Sequence, residues 1–113
     1  MTWEEAKVYC EKKGGHLATL TDTKENSAVY EYLRSLGLDT AYFGLYNPSE
    51  DNETWLWVTG EKADYSYWAN GEPNGWWEKY GMYYSAYEYG EWNDGDGEAN
   101  FFICEWDKEQ ISK

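Results

Sequence analysis

Glu72-Pro73-Asn74 and Trp92-Asn93-Asp94 gather carboxylates and side-chain amides into a short stretch that holds no thiol and no imidazole. Hard oxygen donors of this kind suit Ca²⁺ rather than Zn²⁺ or a softer metal. Glu78 lies between the two motifs and can supply a third carboxylate. Three carboxylates would overneutralise a divalent cation, while Asn74 and Asn93 add neutral oxygens. The amide NH₂ groups stay free to donate outward. A cation ringed by alternating acceptors and donors is suited to gripping two neighbouring hydroxyls. That is sugar chemistry.

The chain that must position these residues has 113 residues, enough for one domain with a real core. Eight Trp, twelve Tyr and three Phe leave few aliphatic residues, so aromatics must supply much of the interior. Thr2 and Glu5 form a capping box for a first helix, and Trp3, Ala6 and Cys10 give it one buried face. Gly14-Gly15 ends it. Asp22 and Glu25 form a second capping box. Val29, Tyr32, Leu33 and Leu36 then make a helical stripe closed by Gly37. Residues 42–46, 55–58, 82–86 and 101–106 read as strands. The interval 63–79 is long and poor in regular pattern, and long loops in compact domains tend to be functional or disordered. Its aromatics argue against disorder.

The ordered set of motifs resembles the C-type lectin domain. Thr2-Trp3-Glu4-Glu5-Ala6-Lys7-Val8-Tyr9-Cys10 is similar to the family's first helix. Gly14-Gly15-His16-Leu17-Ala18-Thr19-Leu20 with Glu25-Asn26, Tyr42-Phe43-Gly44-Leu45, and Trp55-Leu56-Trp57 with Trp68 follow in the family's order. So do Gly71-Glu72-Pro73-Asn74, Trp92-Asn93-Asp94 and Phe102-Ile103-Cys104-Glu105. The resemblance implies an α+β fold of two helices flanking a small, mostly antiparallel sheet, with a long calcium-binding loop. It covers residues 1–113 as one domain, lacking the strand that usually precedes the first helix. The chain thus reads as a piece of a longer exported protein.

Carried over residue by residue, the resemblance implies a Cys10–Cys104 disulfide and no second bridge, since Tyr80 and Gly97 stand where its cysteines would be. A bridge implies an oxidising compartment. The Glu72–Pro73 bond should be cis, turning the Glu72 and Asn74 carbonyls to one side. Glu72, Asn74, Glu78, Asn93 and Asp94 are the implied ligands of one Ca²⁺ and of the sugar, with Glu88 or Glu91 as alternatives to Glu78. An auxiliary calcium site is expected to be missing, because its positions read Asn47, Gly75 and Lys79. Trp76, Trp77 and Tyr80 crowd the loop, either to stack on a sugar ring or to clamp the loop to the domain. Asp94-Gly95-Asp96-Gly97-Glu98 fails as an EF-hand on its spacing, leaving Asp96 and Glu98 as a solvated turn. His16 reads as structural. Asn52-Glu53-Thr54 is a glycosylation sequon.

A formal charge of −13 argues against nucleic acid and anionic membranes as partners. No run of about 18 apolar residues is present to span a bilayer. Two carboxylates near aromatic platforms also describe a glycosidase, but their interleaving with Asn favours ionised metal ligands over a protonated acid. One histidine leaves no credible nucleophile–base pair, so no catalytic residue is expected. The expected function is calcium-dependent binding of mannose-type sugars, namely mannose, N-acetylglucosamine, glucose and fucose. The partners are then glycans or glycoproteins, met by a secreted or cell-surface, multidomain or multivalent protein. The rival is a lectin-like module that binds protein without calcium.

Overall fold

The computed structural model describes residues 1–49, 51, 53–75, 77–98 and 101–106. Helix α1 spans Trp3–Lys12. The Thr2 side chain accepts from the Glu5 N–H at 3.1 Å, and the Glu5 carboxylate accepts from the Thr2 N–H at 2.8 Å, closing the expected capping box. Trp3, Ala6 and Cys10 form its buried face. The Trp3 indole N–H donates to the Phe43 carbonyl at 2.8 Å, fixing the helix against the sheet. Gly14 ends the helix with φ of 86°, a conformation in which any Cβ is strained.

Helix α2 spans Thr23–Ser35, with the Asp22 carboxylate accepting from the Glu25 N–H at 2.7 Å. The reciprocal half of the second capping box goes elsewhere. Glu25 accepts from the N–H and the hydroxyl of Thr21, which offers two donors where Asp22 offers one. The expected stripe is only partly covered: Leu33 is buried, but Tyr32 and Leu36 are 64% and 56% exposed. The buried line of the helix runs through Asn26 and Leu33, while Tyr32 and Leu36 line an open groove with Val29 and Leu33.

The strand expected at 42–46 is present and gains one residue, whereas the other three expected strands are shorter than the sequence suggests. β1 (His16–Leu17) and a strand at Cys104–Glu105, β6, make an antiparallel pair. β2 (Ala41–Tyr46), β3 (Leu56–Trp57), β4 (Tyr80–Tyr83) and β5 (Trp92–Gly95) make an antiparallel sheet in the order β3-β2-β4-β5. The strand expected at 82–86 begins at Tyr80, because Tyr80 pairs with Gly95 and residues after Tyr83 turn away. β1 and β5 have little intrinsic strand preference, the latter reading Trp-Asn-Asp-Gly, and both exist through their partners.

The core is aromatic. Phe43, Trp57, Tyr83 and Trp92 are buried together behind α2, and Trp92 meets Trp57, Tyr65 and Trp68 edge-on. At its centre lies a buried amide. Asn26 Oδ1 accepts from the Tyr83 hydroxyl at 2.6 Å and the Trp92 indole at 2.9 Å, while Nδ2 donates to the Gly90 carbonyl. A polar side chain on α2 thus aligns β4 with β5. Cys10 and Cys104 are bonded, joining α1 to β6 across a separation of 94 residues. Reducing this bond is expected to cost about 4–5 kcal/mol by chain entropy. Urea midpoints with and without reductant measure it, and coincident midpoints would contradict the expectation.

Candidate functional site

Alternation along β5 sends Trp92 and Asp94 to the core face and Asn93 to the other. Asp94 is consequently fully buried. A buried carboxylate must find donors, and the long loop brings them. The Asn74 N–H lies 3.3 and 3.2 Å from Asp94 Oδ1 and Oδ2, and the Gly75 N–H lies 3.0 Å from Oδ2. The same loop is tied to β5 further back. Trp92 donates to the Tyr67 carbonyl and accepts from the Ala69 N–H. Residues 67–75 are thereby zipped along the strand, with Glu72-Pro73-Asn74 held over Asp94. The Glu72–Pro73 bond is cis.

Gly75 joins two of the candidate carboxylates. Its N–H goes to Asp94, and its carbonyl accepts from the Glu78 N–H at 2.9 Å, closing a tight turn. A Cβ at Gly75 would lie 2.7 Å from Glu78 Oε1, so glycine is what lets Glu78 fold back over the loop. Glu72 has two unlike oxygens. Oε2 accepts from the Tyr87 hydroxyl at 2.7 Å, whereas Oε1 is buried and has no hydrogen-bond partner.

Electrostatics mark the same three residues. Burial raises the Glu72 pKa; the Tyr87 hydroxyl opposes this, and the negative charges of Asp94 and Glu78 add to it. Glu78 is raised by burial, then by Asp94 and Asp96. Carboxylates gathered closely enough to repel one another are short of positive charge. Among the described residues, no three His, Cys, Asp or Glu side chains form a metal cluster by themselves. The amide oxygens of Asn74 and Asn93 would have to complete any ligand set. Asn93 lines a groove of about 520 Å³ with Glu78 and Asp94. Its amide lies 4.0 Å from the Met82 sulfur. Glu72 and Asn74 approach Asp94 from the loop side, so Asp94 is the residue common to both halves.

The remaining expected residues fall into place around this centre. Tyr80 stacks on Trp3 at 4.7 Å and so clamps the loop's end to α1. Trp77 is 60% exposed, and Trp76 lies outside the described residues. The Lys79 ammonium donates to the Ser49 carbonyl at 3.0 Å, and the Asn47 N–H to the Lys79 carbonyl. Asp96 and Glu98 are exposed and form a turn through the Glu98 N–H. His16 Nδ1 lies 2.7 Å from the Leu17 carbonyl oxygen, within the β1 turn region. Thr54 of the sequon donates to Asp51, while Asn52 lies outside the described residues. Two contributors were not singled out as ligands from sequence, Gly75 and Tyr87. Gly75 directly follows the Glu-Pro-Asn motif and was open to notice; nothing in the sequence pairs Tyr87 with Glu72.

Comparison with known proteins bears on the fold that carries these residues. The family model described as Lectin C-type domain matches residues 1–106. A C-type lectin of Micrurus corallinus is 33% identical over 112 residues, covering 91% of this chain and 69% of that protein. Collectin-11 of Danio rerio is 29% identical over 110 residues, 96% of this chain, and the match spans only 40% of that protein's length. Among solved structures, the mouse scavenger receptor C-type lectin carbohydrate-recognition domain is 32% identical, with a TM-score of 0.76 over 91% of this chain and 78% of that one. A calcium-independent type II antifreeze protein is 25% identical, with a TM-score of 0.73 over 92% and 76%.

Proposed function

Because the chain belongs to the C-type lectin domain family, we propose that it is a calcium-dependent carbohydrate-binding module for mannose-type sugars. Glu72, Asn74, Glu78, Asn93 and Asp94 would hold one Ca²⁺ and the ligand. The observation that carries this reading is the buried, partnerless Oε1 of Glu72 beside Asp94 and Glu78, which supplies the charge and the free oxygen a cation needs. Glu78 is preferred to Glu88 or Glu91 because its carboxylate folds against Gly75 and is repelled by Asp94. When bound, the ion would accept two vicinal hydroxyls directly. Glu72 with Asn74 would serve one hydroxyl as acceptor and donor, and Glu78 with Asn93 the other. So little of one sugar meets the protein that single-site affinity should be near about 1 mM, roughly 4 kcal/mol. Useful binding then calls for several domains or a multivalent glycan. The disulfide supports an extracellular setting, and among the described residues no helix is long and apolar enough to cross a membrane.

The protein is expected to be retained on immobilised mannose in calcium and released by chelator, with galactose competing poorly. Exchanging acid and amide across Pro73, as Glu72→Gln with Asn74→Asp, keeps the charge but swaps donor and acceptor, and should move preference toward galactose. Retention that resists chelator would overturn the mechanism, and no retention even in calcium would favour the calcium-independent protein-binding alternative.

Calcium binding should also depend on pH. Glu72 and Glu78 hold their protons more tightly folded than unfolded. Their contribution to stability is therefore present below the ordinary glutamate value of about 4.3 and is lost as pH rises through the raised values. Ca²⁺ binding needs both ionised. The calcium-induced rise in Tm should thus be larger at neutral pH than near pH 5, with protons released on binding in between. Thermal melts at both pH values test this, and an equal calcium shift at each would contradict it.

A further inference from the structure

The two oxygens of Glu72 are treated differently by the fold, and Tyr87 makes the difference. Tyr87 sits on the turn after β4, its N–H bonded to the Tyr84 carbonyl at 2.9 Å. Its hydroxyl donates to Glu72 Oε2 at 2.7 Å. Oε1 accepts no hydrogen bond and is shielded from water. Ca²⁺ takes about six to eight oxygens and accepts a carboxylate through one oxygen or through both. A carboxylate oxygen already holding a phenolic proton, on a tyrosine fixed by its own turn, is drawn away from the cation. Resting on the calcium-dependent reading above, we propose that Tyr87 is a positioning residue: it limits Glu72 to a single metal-ligating oxygen, Oε1, and so keeps one coordination position open for a ligand hydroxyl.

The proposal makes metal and sugar affinity move in opposite directions. In Tyr87→Phe, Oε2 loses its donor and is free to turn onto the ion, filling the position the sugar needs. Calcium affinity should rise about threefold or more, the worth of one net hydrogen bond. Methyl mannoside affinity at saturating calcium should fall by a similar factor. A third readout needs no sugar. Terbium substituted for calcium reports its inner-sphere waters through luminescence decay in H₂O and D₂O, and Tyr87→Phe should hold one water fewer than the wild type. Tyr89→Phe, at a residue 77% exposed, should change none of the three quantities. A change of both affinities in the same direction, or an unaltered water count, would overturn the role given to Tyr87 and leave the calcium reading intact. Failure of the wild type itself to bind terbium or calcium would sink both.

Discussion

Asp94→Ala should abolish calcium binding, lowering affinity by at least about 100-fold, since oxygen sites are tuned by the charge count of their ligands. Asp94 is where the two halves of the site meet. It takes the N–H groups of Asn74 and Gly75 from the loop, and it borders the groove shared with Glu78 and Asn93. Truncation removes a charge and also strands two loop N–H groups, each costing about 1–3 kcal/mol where it stays buried. Against this, the loss of one negative charge relieves Glu72 and Glu78. Asp94→Asn separates these effects, because an amide oxygen can still accept while the charge is gone. Calorimetric titration of both variants decides the matter. Normal calcium binding by Asp94→Ala would mean that the ligand set is wrong.

Asn26→Leu should cost roughly 3–5 kcal/mol of stability although it lies at a distance from the site. The leucine leaves the Tyr83 hydroxyl, the Trp92 indole and the Gly90 carbonyl without the partner that joins them in the core. Two of those three groups belong to β4 and β5, so the sheet edge that carries Asn93 and Asp94 should loosen as well. Chemical denaturation measures the first effect, and amide hydrogen exchange at residues 92–95 the second. A variant within about 1 kcal/mol of wild type would show that the buried amide network is not what aligns these strands.

Much of this was legible in the sequence, for identifiable reasons. The ends of α1 and the burial of Trp3, Ala6 and Cys10 follow from local capping and periodicity, which a linear chain displays openly. Aromatic and β-branched runs at 42–46 and 55–58 also mark β2 and β3, but β5 was not legible in this way. β5 is built from Trp, Asn, Asp and Gly, and only its pairing with β4 and the loop bonded to it make those residues extended. The stripe on α2 shares one groove as expected, but the buried line also includes Asn26, which apolar patterning does not count. Among the proposed ligands, oxygen chemistry points to Glu72, Asn74, Asn93 and Asp94 before any coordinates. The hydroxyl of Tyr87 on Glu72 is a contact between two loops distant in sequence, and no periodicity encodes it.

Trp92, Asn93 and Asp94 are consecutive on one strand, with the first and third facing the same interior. That adjacency divides the molecule's freedom to change unequally. Glu72 and Asn74 ride on a loop, where an acid and an amide can trade places without disturbing a core strand. Over sequence drift, the preference for one sugar over another can therefore wander. Dependence on the metal cannot wander so freely, because the carboxylate proposed to bind it sits two residues from the indole at the heart of the core. A descendant that abandoned calcium would have to find a new occupant for the Asp94 position, one that still satisfies the loop from inside the protein.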